Sequence, residues 1–248
     1  MRRHKPIVVV WVILFGMGFL SLGGTFGKPT PSHLLSPVTS EVNRMLEKIK
    51  WLGHASFKIT GPPVIYIDPW KLTDGEKADI ILITHPHYDH CSPEDIAKIQ
   101  KEDTIIVATQ DTAAKLKGEI KIVKPGDKIR VKDVEIEAVP AYNIGKPFHP
   151  KENGWVGYII TINGVHIYHA GDTDFIPEMK DIKADIAFLP VGGTYTMNAE
   201  EAARAANTIM PQVAIPMHYG TIVGSIKDAE KFRKLCKVEV RILTPTAP

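Results

Sequence analysis

The chain has 248 residues, 44% hydrophobic and 23% charged, with a formal net charge of +2. That composition belongs to a globular protein long enough to bury a full core, and it excludes a disordered chain. The small net charge, with basic residues scattered rather than clustered, argues against a nucleic-acid partner.

The N-terminus departs from this average. Met1-Arg2-Arg3-His4-Lys5 is basic, Ile7 to Leu22 carries no charge, and Gly23, Gly24, Thr25, Phe26 and Gly27 lead into a Pro/Ser/Thr-rich stretch. A basic head, an apolar middle and small residues afterwards predict a secretory signal cleaved after Gly27, or an uncleaved anchor attached to a membrane through residues 7–26. The run is short against the roughly 20 residues of a full span. Charge ahead of it predicts an N-inside orientation, hence an extracytoplasmic domain, secreted or anchored. Residues 1–27 therefore read as signal or anchor, 28–45 as linker and 46–248 as the folded domain.

Short β-branched-rich runs bounded by Gly, Pro or Asp predict strands at 57–60, 64–67, 80–84, 104–108, 128–131 and 134–139. The same signal recurs at 155–162, 165–169, 185–189, 213–216 and 238–242, and Asn163-Gly164 reads as a hairpin turn. Helices are predicted after Ser92-Pro93-Glu94-Asp95, after Asn198-Ala199-Glu200-Glu201, and over 227–236. A β-rich first part followed by mixed strands and helices suits a sandwich with helices outside. Cys91 and Cys236 are too few for a disulfide framework and read as free thiols.

The segment that carries chemistry is Thr84-His85-Pro86-His87-Tyr88-Asp89-His90-Cys91, between the apolar run Ile80 to Ile83 and a capped helix. Imidazoles and a carboxylate crowded on one strand-end loop repel when protonated, so a bound cation is the natural occupant. Such ligands suit Zn²⁺, Mn²⁺ or Fe²⁺.

This segment resembles the His-x-His-x-Asp-His signature of the metallo-β-lactamase superfamily, and further pieces stand in the family's order. They are Ile67-Asp68-Pro69, Val139-Pro140-Ala141-Tyr142 leading to His149, His169-Ala170-Gly171-Asp172-Thr173, and Pro216-Met217-His218-Tyr219. Trp51-Leu52-Gly53-His54-Ala55-Ser56 resembles the branch that includes ascorbate-6-phosphate lactonase-like and phospholipase-D-like members. The resemblance implies an α+β fold, a four-layer αβ/βα sandwich. It also implies two divalent ions, Zn with Mn or Fe as alternatives. His85, His87 and His149 would hold one, Asp89, His90 and His218 the other, and Asp172 would bridge them. Asp89, Asp172 and His54 become the catalytic candidates.

The implied reaction is hydrolysis of an ester, lactone or phosphodiester in a small-molecule or lipid-type substrate, by a hydroxide shared between ions about 3.5–4 Å apart. An iron-dependent oxidoreductase and a non-catalytic metal-binding module are the alternatives on the same fold.

Several positions stay open on sequence alone. Tyr142-Asn143 stands where many relatives carry the third His, so His149 competes with Asn143 as a weak ligand and with a one-metal site. Asp68 is either an acceptor for a ligating imidazole or a turn former before Pro69. His54 touches either substrate or ligands, or only makes a turn. Cys91 is a neighbour of the second metal or a small buried hydrophobe. His169 reads as a satisfied core residue, His166 as solvent-facing or packed, and Gly192 to Met197 as an active-face loop or a plain strand-to-helix connection.

Overall fold

The computed structural model of the protein describes residues 37–246. The signal-or-anchor reading of residues 1–27 lies outside them. The extracytoplasmic placement built on that reading is corrected. Among the described residues no helix is long and apolar enough to cross a membrane, and the longest has 11 residues, about half of what a span requires.

The first helix of the described residues overlaps the stretch read as linker. Thr39 caps α1 (Ser40–Lys48) by accepting from the Val42 amide, and Val42, Met45 and Leu46 form its buried stripe. The first sheet then runs, in order, through β1 (Ile49–Gly53), β2 (Ser56–Ile59), β3 (Ile65–Ile67), β4 (Ile80–Leu82), β5 (Ile105–Ala108) and β6 (Glu119–Ile122). β1 to β3 pair antiparallel and β3 to β6 parallel. The second sheet comprises β7 (Lys128–Val131), β8 (Val134–Pro140), β9 (Val156–Ile162), β10 (Val165–His169), β11 (Ile186–Pro190), β12 (Val213–Met217) and β13 (Glu239–Val240). Antiparallel hairpins join β7 to β10, and β10 to β13 are parallel.

Sheet alternation makes two cores from one apolar run. Ile65, Ile67, Ile80 and Leu82 face the second sheet, whereas Tyr66, Ile81 and Ile83 face outward onto Ile96 and Ile99 of α2 (Pro93–Ile99). Between the sheets Phe57 stacks on Phe188 with ring centroids 4.1 Å apart. On the far side α4 (Ala199–Ile209) lies on β11 through an alanine-rich face, and α5 (Ile226–Leu235) lies on β12. A short α3 (Gln110–Ala113) links β5 to β6. The layers are thus helix, sheet, sheet, helix, the expected α+β sandwich. Asp68, His85, Asp172 and His218 all follow the carboxyl ends of parallel strands, where α/β-type sheets leave a crevice.

Candidate metal centre

The His motif leaves β4 in a tight turn. The carbonyl of His87 accepts from the amides of both His90 and Cys91, at 3.0 and 2.8 Å. Ser92 and Pro93 then start α2 at once. The turn splays the motif's side chains, and residues distant in sequence close around them. His85, His87 and His149 offer ligand atoms all within 4.8 Å of one another, as do His54, Asp89, His90 and His218, and as do His85, His90 and Asp172. Every residue of the expected set therefore meets at one place. Asp68, His54 and His218 reach it with left-handed backbones, at φ 45, 51 and 58°, conformations that non-glycine residues adopt mainly at special sites.

The hydrogen bonds behind the rings settle which nitrogen faces inward. Thr84 Oγ1 donates to Asp68 Oδ2 at 2.6 Å and so accepts from His85 Nδ1 at 2.9 Å. His90 Nδ1 donates to the same Asp68 oxygen at 2.7 Å, and His149 Nδ1 donates to Asn143 Oδ1 at 3.0 Å. In the neutral form of each of these three imidazoles Nε2 therefore carries the lone pair, the form in which a ring can bind a cation. The Nε2 atoms of His90, His149 and His218 lie 3.3, 3.3 and 3.1 Å from Asp172 carboxylate oxygens. None of the three has a hydrogen-bond partner although all are buried, and Asp172 Oδ1 is equally unpartnered. Buried polar atoms are rarely left so. Convergent lone pairs around a carboxylate are what a cation requires, so the donor set fits divalent metal.

The electrostatics agree. Burial, then repulsion from His90, holds His85 well below the usual imidazole range, and burial lowers His87 too. Burial would raise Asp172, but the fields of His218 and His90 outweigh it and keep its carboxyl well below the usual range. For Asp89 burial is likewise outweighed, here by the His54 hydrogen bond and by His90, and it falls to about 2. His90 moves the other way despite burial, because Asp172 and Asp68 flank it. A place where two carboxylates attract positive charge suits a proton or a metal cation alike.

The open positions resolve as follows. Asn143 is the support of His149: its Oδ1 also accepts the His149 amide at 3.0 Å, and its amide group donates to Asp174 Oδ1 and the Tyr195 carbonyl. Asp68 is an acceptor for ligand-type imidazoles, as one sequence reading held. His54 is no plain turn residue, since its Nε2 lies 2.9 Å from Asp89 Oδ2 and its ring 3.8 Å from that of His218. Burial, partly offset by Asp89, drives His54 down to about 4, so its Nε2 hydrogen goes to the carboxylate at neutral pH.

Cys91 is buried in the outer apolar cluster, and burial pushes its thiol up to about 11. Both cysteines are free. His169 is a satisfied core residue bonded to the Ala55 carbonyl and the Gly171 amide, and His166 is exposed beside Asp185. Gly192 is glycine because a Cβ there would strike the His218 carbonyl oxygen, so that loop braces the site's backbone.

Sequence reasoning missed Trp155. Its ring packs 5.1, 4.9 and 5.6 Å from those of His85, His87 and His149, and its Nε1 donates to Asp111 at 2.7 Å. It read only as the first residue of a strand, and nothing local distinguishes it. Thr84 was also missed, although its place directly before His85 was a usable signal.

Comparison with known proteins agrees with this geometry. Residues 48–218 match the family model of the beta-lactamase superfamily domain. The chain is 37% identical over 219 residues to a UPF0173 metal-dependent hydrolase of Pyrococcus furiosus, covering 80% of this chain and 96% of the relative. It is similar to a solved protein of Parabacteroides distasonis assigned as a metal-dependent hydrolase, with a TM-score of 0.71 and 41% identity over 78% of this chain and 91% of that one. A metallo hydrolase of the archaeon Ignicoccus hospitalis gives a TM-score of 0.67 and 26% identity over 79% and 94% of the two chains. Sequence, fold and relatives together make this chain a metal-dependent hydrolase belonging to the metallo-β-lactamase superfamily.

Proposed function

We propose that the protein hydrolyses an ester, lactone or phosphodiester bond of a small-molecule substrate with the help of two divalent cations, Zn²⁺ in preference to Mn²⁺ or Fe²⁺. The supporting observation is the ring of buried, unpartnered imidazole nitrogens around Asp172. His85, His87 and His149 would hold one cation, Asp89, His90 and His218 the second, with Asp172 shared. Nitrogen-rich sites with a minority of carboxylates favour zinc. When bound, such a pair polarises the carbonyl or phosphoryl oxygen of the substrate and activates water at neutral pH.

The chain's own groups prepare the place. Asp172 and Asp89 are ionised at neutral pH, so no proton must leave them before a cation binds. His54 donates Nε2–H to one oxygen of Asp89, which fixes how the carboxylate presents the other. Trp155 walls the His85–His87–His149 side with apolar surface, excluding water there.

The test is elemental analysis of the purified protein beside a panel of carboxylic esters, lactones and phosphodiesters. The expected result is about two zinc ions per chain, with turnover lost on chelation and in Asp89→Ala. Stoichiometric iron with oxygen consumption, or turnover that survives chelation, would overturn the reading.

A further inference from the structure

Eight large hydrophobic side chains are exposed among the described residues. Three of them, Tyr88, Ile144 and Phe148, are chain neighbours of Asp89, of Asn143 and of His149. Exposed apolar residues scattered singly need no explanation. Concentration on the loops that build a hydrolytic site does.

The side next to Asp89 is the better built. Tyr88 is 68% exposed, and its ring meets Trp70 edge-on with centroids 6.0 Å apart. Trp70 in turn lies 5.2 Å from the His54 ring, so the pair runs from the buried cluster out to solvent. The loop carrying Trp70 is pinned. The Lys71 and Leu72 amides donate to the two oxygens of Asp95 at 2.7 and 3.1 Å. Leu72 and Asp95 are themselves buried, and Lys98 pairs with Asp95 at 2.8 Å. Lys71 holds a left-handed backbone at φ 58° with its Nζ 4.4 Å over the Trp70 ring. An aromatic corner fixed by a buried carboxylate is preorganised, so a ligand resting on it loses little to ordering the protein.

We infer that the Trp70–Tyr88 corner is a substrate subsite, and that the substrate carries an apolar group of several carbons beside the bond that is cleaved. This rests on the metal-centred reading above, which puts the polar head of the substrate at the cluster. Convergent polar groups next to a fixed aromatic wall form the usual plan of a small-molecule site, and here the wall selects for apolar area.

The test is calorimetric titration of the zinc-loaded protein with ethylphosphonate and octylphosphonate, whose carbon–phosphorus bonds resist hydrolysis. Each methylene fully buried is worth roughly fourfold in affinity. Partial burial on an open corner therefore predicts that the octyl compound binds at least about tenfold tighter than the ethyl compound. In Tyr88→Ala and Trp70→Ala that ratio falls to about threefold or less. Tyr88 is exposed enough that its variant folds even if the Trp70 variant does not. Equal affinity for the two compounds, or an unchanged ratio in Tyr88→Ala, overturns the subsite. The metal-centred reading survives such a result, because metal content and hydrolysis test it separately. Binding of neither compound would overturn the subsite alone, since metal content and turnover on chelation decide the metal-centred reading.

Discussion

Asp68 holds one side of the metal centre and Asn143 the other, and they do it differently. Asp68 follows β3 directly and is wholly buried. One of its oxygens serves His90 directly and His85 through Thr84. Asn143 sits in the loop that delivers His149 and is neutral. Charge appears on that side one step further back, where Asp174 accepts from Asn143, the Ile144 amide and Lys146. The strand side uses a carboxylate to hold imidazoles already positioned by the sheet ladder. The loop side has no ladder, so it spends its charge on holding the loop and leaves the imidazole to an amide.

The comparison breaks most openly at Asp68. Asp68→Ala would strip the Thr84 hydroxyl, the Thr84 amide and His90 Nδ1 of their acceptor at once, and a carboxylate behind a ligating imidazole raises its basicity. On the proposed two-cation reading, metal affinity should fall about 10–100-fold for both equivalents, because Asp68 reaches members of both proposed ligand groups. Competition against a chromophoric chelator measures this, and loss of only one equivalent would show that the Thr84 relay to His85 is idle. Asn143→Ala should cost less, about tenfold, and only one of the two equivalents, since Asn143 reaches only His149. Asn143→Asp keeps the acceptor for His149 Nδ1 and should recover part of that loss. If Asn143→Ala weakens both equivalents alike, the two sides are not independent and the contrast fails.

The same contrast explains what could be read from sequence. Strand-side residues were legible because β4, β10 and β12 are short apolar runs that end where the chemistry begins, as Ile80 to Leu82 do before His85. The ends of β7 and β10 fall where the β-branched-rich runs and their bounding residues placed them. β6 escaped notice because Glu119–Ile122 is an edge strand of alternating charge with little burial. α1 escaped because its cap follows a Pro/Ser/Thr-rich stretch that reads as linker, although Val42, Met45 and Leu46 carry the helical stripe. On the loop side the sequence could nominate His149 but not show what holds it. Asn143 is held by residues more than thirty positions away, and no local spacing encodes that.

The smallest effect lies one step outward on the strand side, at Asp95. Burial would raise its carboxyl, but hydrogen bonds from Lys98, Ser92 and the Lys71 amide outweigh burial and lower it below the ordinary value. A carboxylate whose folded pKa is depressed stabilises the fold fully above its unfolded pKa of about 3.9. That stabilisation is lost as pH falls through the folded value. Asp95→Asn keeps an acceptor for one loop amide but gives up the charge. Stability at pH 7 should drop by about 1–2 kcal/mol, or about 2–8 °C in melting temperature for a domain of this size. The gap between variant and parent should then close as the pH is lowered below about 3.9, because the parent's own Asp95 becomes neutral. Thermal melts of both proteins from pH 7 to pH 2.5 would follow it. A gap that stayed constant across that range would mean that Asp95 holds the Trp70 loop by shape and not by charge. The use of buried carboxylates on the strand side would then stop at Asp68.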